Sequence, residues 1–110
     1  MEVLHNMNYN ETNISGTQYQ RAAEIKIINP LNTELDKIIT FVEQKVYVLD
    51  SKSIVEGAGI LNVTFNPSEV ITIIDPSTGE PTGNTVTHAE IYKILYSVYI
   101  QYAKLRDQTI

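Results

Sequence analysis

The 110-residue chain contains no cysteine, which excludes disulfide bonds and metal sites built on thiolates. Basic residues are few, since eight Lys and Arg stand against thirteen Asp and Glu, for a formal net charge of −5. Phosphate binding needs clustered Lys and Arg, so nucleic acid is not an expected partner. Apolar runs are short and the first residues lack the pattern of a signal peptide. Neither a membrane span nor export is therefore expected.

Motifs that carry chemistry are also missing. The sequence has no phosphate-binding glycine-Lys pattern, no dinucleotide fingerprint, no nucleophile elbow and no metal-ligand cluster. His5 and His88 are isolated, and His88 is interpreted as a solvated residue in the first turn of a helix. Asp75 and Glu80 flank a turn and could hold a cation, but their spacing is not that of a calcium loop. We expect no catalytic residue, no metal site and no cofactor.

What the sequence does contain predicts an α+β fold. We expect a small, mainly antiparallel β-sheet domain with an extended N-terminal arm and one long C-terminal helix. Residues 1–18 are polar and aperiodic, which predicts an extended or flexible arm. Residues 19–110 are predicted to form a single β-rich domain that ends in the helix.

Strands are expected where β-branched and aromatic residues concentrate, at 19–28, 37–49, 60–65 and 70–74. Imperfect alternation in the second segment indicates burial on both faces or a bulge near residues 43–45. Gly57 and Gly59 are expected to flank a kink. Turn residues predict reversals at 50–53, at 75–79 and at Gly83-Asn84.

The stretch TIIDPSTGEPTGNTVTHAE, residues 72–90, raises the question of a ligand-binding loop. Its Gly and Pro residues set the backbone angles of a bend, which is the simpler use of such residues. We interpret it as the bend that delivers the chain into the C-terminal helix, and an exposed, Pro-stiffened bend could serve in addition as a contact loop.

The C-terminal helix is predicted over residues 87–107. Thr87-His88-Ala89-Glu90 fits a capping box, in which Thr87 caps the first N–H groups and Glu90 reaches back. Two apolar stripes follow at spacings of three and four residues. Stripe 1 consists of Ile91, Ile94, Leu95, Val98, Tyr102 and Leu105, and stripe 2 consists of Tyr92, Tyr96, Tyr99 and Ala103.

Two interpretations of these stripes remain open. In the first, the helix lies deep in the core of its own domain and the tyrosine hydroxyls reach outward. In the second, stripe 1 packs on the sheet and stripe 2 packs on a second protein chain. We favour the second, because Tyr is rigid, amphipathic and enriched at the centres of protein interfaces. Tyr92, Tyr96, Tyr99 and Ala103 are therefore the predicted interface residues.

The segments ITFVEQKV, GILNVTFNP and IIDPSTGEPTGNTVTHAEIYKILYSVYIQYAKLRD resemble a family of small proteins from the late, structural gene modules of tailed bacteriophages. The resemblance covers about residues 19–108. Its specific part is a run of Asp-Pro-x-Thr-Gly-x-x-Thr-Gly-x-Thr-x-Thr-His that leads into a Tyr-rich helix ending in Arg-Asp. The matching positions are Asp75, Pro76, Thr78, Gly79, Thr82, Gly83, Thr85, Thr87, His88, Tyr92, Leu95, Tyr96, Ser97, Tyr99, Ala103, Arg106 and Asp107.

The resemblance implies a structural protein of the virion, in the tail, the baseplate and fibre region, or the connector, made in the cytoplasm of a bacterial host. It implies binding to other virion proteins and to copies of the same chain, in a homo-oligomer. It brings no catalytic residue with it, and no acid–base or nucleophile pair is visible, so an enzyme is not expected. Two alternatives stay open: an assembly chaperone that is absent from the virion, and a small soluble interaction module.

Overall fold

The computed structural model of the protein describes residues 8–12 and 16–108. Within these ranges the chain forms six β-strands and one α-helix. They are β1 (Tyr9–Thr12), β2 (Thr17–Ile28), β3 (Ile38–Leu49), β4 (Lys52–Thr64), β5 (Val70–Ile74), β6 (Pro81–Thr87) and α1 (His88–Asp107). The fold is α+β, as the sequence predicted, with two antiparallel sheets and one C-terminal helix.

The described chain divides into two compact units, where the sequence predicted one domain over residues 19–110. The first unit contains the described residues up to 65 together with 74–80. The second contains 66–73 and the described residues from 81 onward. The first unit therefore holds the four-stranded sheet, and the second holds the helix and the strand that leads into it.

The predicted boundary of an N-terminal arm, at residue 18, falls inside a strand. β2 begins at Thr17, and β1 pairs antiparallel with it, with Tyr9 opposite Gln20. The backbone hydrogen bonds of an edge strand do not need apolar side chains, so a polar sequence can still join a sheet. Residues 1–7 and 13–15 of the predicted arm lie outside the described residues.

The four-stranded sheet has the order β1-β2-β3-β4, so each strand pairs with its neighbours in sequence. A two-residue turn at Asp50-Ser51 joins β3 to β4, with Leu49 opposite Lys52. Both turn residues have positive φ, 51° and 64°, which matches the right-handed twist of the flanking strands. The turn predicted at residues 50–53 is confirmed.

The two strands that pair with β3 each contain a β-bulge, and both bulges lie beside the same residue of β3. On β2, Ala23 is an extra residue in the pairing with β3, and on β4, Ala58 is the extra residue between Gly57 and Gly59. Both lie beside Glu43. The bulge predicted near residues 43–45 and the kink between the two glycines are therefore confirmed, although the extra residues belong to the neighbouring strands. Paired bulges increase the local twist of the sheet.

The two buried apolar side chains of the sheet lie on opposite faces of β3. Ile39 and Val46 are the buried apolar residues among those described, at 9% and 5% exposure. They stand seven residues apart on one strand, so they point to opposite faces. Paired positions on the Ile39 face are Ile25, Ile27, Phe41, Leu61 and Val63, and paired positions on the Val46 face are Thr17, Tyr19, Val48, Ser53 and Val55. Each face thus holds one of the two buried apolar residues together with apolar neighbours on the adjacent strands.

The second sheet consists of β5 and β6. The bounds of β5 agree with the prediction, but a strand occupies the place where the sequence predicted a turn at Gly83-Asn84. Gly83 does have the turn-like φ of +87°. The Thr82 hydroxyl donates to the carbonyl of Ile73 (2.8 Å) and accepts from the N–H of Asn84 (3.1 Å), which holds this residue within the pairing.

Candidate functional site

The start of α1 carries a complete capping box. Thr87 has extended backbone angles, and its hydroxyl accepts the N–H of Glu90 at 3.1 Å. The Glu90 carboxylate accepts in return from the Thr87 N–H at 2.9 Å and from the Thr87 hydroxyl at 3.0 Å. These two hydrogen bonds, the backbone one foremost, hold the pKa of Glu90 below its ordinary value. The helix begins where the sequence placed its cap.

The first N–H groups of the helix are satisfied by the loop before β5. The N–H of His88 donates to the carbonyl of Glu69, and the N–H of Ala89 donates to the carbonyl of Pro67, both at 3.1 Å. Helix N-termini attract anions because their N–H groups lack partners. Here carbonyl groups of the preceding loop accept these N–H groups. The start of α1 is therefore attached to that loop by backbone hydrogen bonds.

His88 is the buried residue of α1, with 2% exposure. Its Nδ1 accepts the N–H of Asn66 at 3.1 Å, which places the proton of the neutral ring on Nε2. Nε2 lies 3.6 Å from a carboxylate oxygen of Glu69. The sequence-based interpretation of His88 as a solvated residue is therefore wrong. Its ring fastens the start of the helix to the loop.

The loop that receives His88 is itself ordered by a side chain. The amide oxygen of Asn66 accepts from the N–H of Ser68 (3.3 Å) and from its hydroxyl (3.2 Å), and the N–H of Glu69 donates to the carbonyl of Asn66 (3.0 Å). Asn commonly stabilises turns in this way. A histidine beside a carboxylate would suggest acid–base chemistry, but at 2% exposure the ring offers a substrate no access.

In the turn between β5 and β6, polar side chains form hydrogen bonds with other residues of the same turn. One carboxylate oxygen of Asp75 accepts from the N–H of Ser77 (2.8 Å) and from its hydroxyl (2.6 Å). These bonds, the hydroxyl bond foremost, lower the pKa of Asp75. The N–H of Asp75 donates to the carbonyl of Glu80 (2.9 Å), and Gly79 supplies the positive φ of 75°. The carboxylate considered for a cation thus stabilises the turn.

Two further features of the described residues concern metal and ligand binding. No group of three or more His, Asp or Glu within them is placed to hold a metal ion. A concavity of about 510 Å³ at the β3–β4 turn is lined by residues that include Tyr47, Leu49 and Ile54. The Tyr47 hydroxyl beside it donates to the carboxylate of Glu56 at 3.0 Å, and this bond raises the pKa of Tyr47. The arrangement is that of a surface hydrogen bond in a sheet.

The outer surface of α1 is the most distinctive feature of the second unit. Five of the six residues of stripe 1 are between 49% and 69% exposed: Ile94, Leu95, Val98, Tyr102 and Leu105. Stripe 1 is therefore not covered by the rest of the second unit, and the interpretation of a helix deep in its own core is wrong. A helix of such composition ordinarily has its apolar residues covered.

Stripe 2 is also open to solvent. Tyr96 and Tyr99 are 43% and 57% exposed, while Tyr92 and Ala103 are half-buried. The rings follow one another along the helix, with centroids 5.6 Å apart for Tyr92 and Tyr96 and again for Tyr96 and Tyr99. Exposed, mutually packed tyrosines form a rigid surface that loses little entropy on binding. Their role as interface residues stays a prediction.

The polar face of α1 is narrow and is formed by Glu90, Lys93, Ser97, Gln101 and Lys104.

Within the described part of the chain, no helix combines the length and apolarity needed to cross a membrane. Comparison of the chain with protein-family models, curated proteins and solved structures gives no match. The exposed stripes of α1 are therefore the candidate functional site, as a binding surface for protein.

Proposed function

We propose that this chain is a structural protein of a tailed-bacteriophage particle, in its tail, baseplate or connector region. It acts by binding copies of itself and neighbouring virion proteins, without catalysis. The observation that carries the proposal is the exposed apolar surface of α1, because soluble monomers rarely expose contiguous patches beyond a few hundred Å².

The size of that surface suits a protein interface. Eight large side chains of α1 are more than a third exposed. Each exposes on the order of 100 Å², so together they approach the roughly 800 Å² that one partner contributes to a standard interface. They are Ile94, Leu95, Tyr96, Val98, Tyr99, Ile100, Tyr102 and Leu105.

The assignment to a virion rests on the resemblance of the loop and helix segment to phage structural proteins. The geometry of that segment is compatible with it. Asp75 orders a turn, Thr87 caps the helix and the buried His88 holds the loop, so these motif positions have structural roles. The first unit adds exposed apolar side chains on its sheet, among them Ile25, Ile54 and Ile60. Such surfaces suit contacts with neighbouring proteins.

Mass spectrometry of purified particles from the phage that encodes the chain tests the proposal. We expect the chain in the particle at a constant ratio to the other structural proteins. An assembly chaperone would bind a virion protein in lysates and be missing from particles, which would overturn the virion assignment. Abundant non-virion proteins of the infected cell serve as the control for contamination.

A further inference from the structure

The two stripes of α1 point in directions that differ by about one third of a turn. Successive residues of an α-helix are separated by about 100°, so the middle of stripe 1 and the middle of stripe 2 lie about 120° apart around the axis. The direction midway between the two stripes points away from the polar face. That face lies on the opposite side of the helix and consists of Glu90, Lys93, Ser97, Gln101 and Lys104. Each stripe repeats its residues at spacings of three and four, which is the pattern of a helix–helix seam.

We propose that α1 assembles with second copies of itself into a closed, parallel ring of five or six helices, in which stripe 1 of each copy packs against stripe 2 of the next. The inference rests on the self-association in the proposed function and specifies its geometry. In a regular ring each helix sees its two neighbours at the interior angle of a polygon, about 108° for five members and about 120° for six. Leu95, Tyr99 and, near the end of the helix, Arg106 then face the axis, and the polar face points outward.

Smaller assemblies leave part of the surface unused. A two-helix pair needs one stripe and would leave the other exposed, as it is in the isolated chain. In a ring of three helices the two contact surfaces of each helix lie about 60° apart around its axis, and in a ring of four they lie about 90° apart. Both angles are smaller than the separation of about 120° between stripes 1 and 2. The width of the apolar surface therefore favours five or six copies.

Charges at the edges of the stripes favour unlike pairing. Near the start of the helix Glu90 borders stripe 1 and Lys93 borders stripe 2, while Asp107 lies beside stripe 2 at the end of the helix. When stripe 1 meets stripe 2 in a parallel ring, Glu90 lies about 4.5 Å along the axis from the neighbour's Lys93, and opposite charges meet. Pairing stripe 2 with stripe 2 would instead bring lysines together.

Residue sizes along the seams are also complementary. Stripe 1 supplies branched aliphatic side chains at Ile94, Val98 and Leu105. Stripe 2 supplies flat tyrosine rings and the small Ala103, beside which a larger side chain of the neighbour can fit. The two seams thus offer different surfaces, as a head-to-tail contact requires.

The first experiment measures the mass of the full chain by native mass spectrometry and sedimentation velocity. We expect a species of five or six times the 12.4 kDa chain. A dimer would overturn the ring. A monomer that is folded by circular dichroism would overturn it as well.

The second experiment separates unlike from like pairing. Val98→Glu blocks stripe 1 and Ala103→Glu blocks stripe 2, and we expect each variant alone to be monomeric. Mixed, the intact stripe 2 of Val98→Glu can bind the intact stripe 1 of Ala103→Glu, so the mixture should give a one-to-one heterodimer and nothing larger. Labelling one variant with nitrogen-15 distinguishes the partners by mass. Homodimers of either single variant would show like pairing and overturn the proposal.

Ser97→Glu is the matched control, because it adds the same charge one residue away on the polar face. We expect it to keep the mass of the unmodified chain. If Val98→Glu fails to melt cooperatively, Leu105→Glu blocks the same stripe near the end of the helix. The outcome is independent of the virion assignment: a chain present in particles that is only dimeric in solution contradicts the ring alone, and a ring-forming chain absent from particles contradicts the virion assignment alone.

Discussion

The N–H of Asn66 donates a 3.1 Å hydrogen bond to Nδ1 of His88, across twenty-two residues of sequence. This bond ties the loop before β5 to the first residue of α1. The same histidine donates its backbone N–H to Glu69, so the loop and the helix are fastened at two points. These bonds fix the direction in which α1 leaves β6, and with it the directions in which the two stripes face.

Replacement of His88 by Ala should destabilise the second unit. The N–H of Asn66 would lose its acceptor in the chain, which costs about 0.5–1.5 kcal/mol, and the lost ring would leave a cavity. His88→Asn is the matched control, because its amide oxygen can take the place of Nδ1. Urea unfolding should give a lower midpoint for Ala than for Asn, and equal midpoints would contradict the anchoring role of the hydrogen bond.

Thr87→Ala should weaken α1 by removing the hydroxyl that accepts the N–H of Glu90. Loss of a cap typically costs about 0.5–2 kcal/mol. Thr87→Ser keeps the hydroxyl and should stay close to the unmodified protein. Thermal unfolding followed by the helical circular dichroism signal measures the difference, and a midpoint unaffected by Ala would place the functional start of the helix elsewhere.

The capping box should also make stability depend on pH. The folded pKa of Glu90 lies below its ordinary value of about 4.5, so its charged form stabilises the folded state. That contribution is present above the unfolded pKa and is lost as pH falls through the folded pKa. Glu90→Gln keeps the box geometry without the charge. We expect the stability gap between the two proteins to be open at pH 7 and to close below pH 4, and a gap constant with pH would refute the electrostatic part.

Local signals in the sequence were sufficient for much of this structure. The cap at Thr87 and the span of α1 follow from short-range residue patterns, because helix ends are decided within a few residues. The bulges beside Glu43 were visible as broken alternation and as Gly57 and Gly59. Their assignment to β2 and β4 needed the pairing register, which one strand alone does not reveal.

Features that depend on distant partners were missed. His88 is buried because Asn66 and Glu69 meet it in space, and a lone histidine in sequence does not indicate such partners. Gly83 was interpreted as a turn from its residue type, yet it lies within β6 with the positive φ that glycine allows. The exposure of stripe 1 could not be predicted either, since an apolar stripe gives the same pattern whether its own chain or a partner covers it.

Gly59→Ala should destabilise the four-stranded sheet through backbone strain alone. Gly59 has φ of +103°, and a Cβ there would meet no atom within 4 Å. The left-handed region costs a residue with a side chain about 1–2 kcal/mol. Gly57→Ala is the control, because its site is equally open and its φ is not positive. Thermal midpoints should fall for Gly59→Ala only, and equal behaviour of the two variants would contradict the strain argument.

The last prediction concerns the tyrosines of stripe 2. The double variant Tyr92→Ser, Tyr96→Ser removes two neighbouring rings from a surface in which Tyr96 is 43% exposed. The ring pairs contribute about 0.5–1.5 kcal/mol each, so the isolated chain should still melt cooperatively with a modestly lower midpoint. If the rings belonged to a core, each truncation would cost roughly 3–5 kcal/mol and the cooperative transition would be lost.

Association should respond in the opposite way. Since the rings form the centre of the predicted interface, their loss should reduce self-association far more than stability. Ser97→Ala, Lys104→Ser makes the same number of changes on the polar face and should preserve association. Sedimentation velocity on both double variants, beside thermal unfolding, separates the two effects. A tyrosine variant that melts and associates as the unmodified chain does would remove stripe 2 from the interface, and one that no longer folds would place the tyrosines in a core of the chain itself.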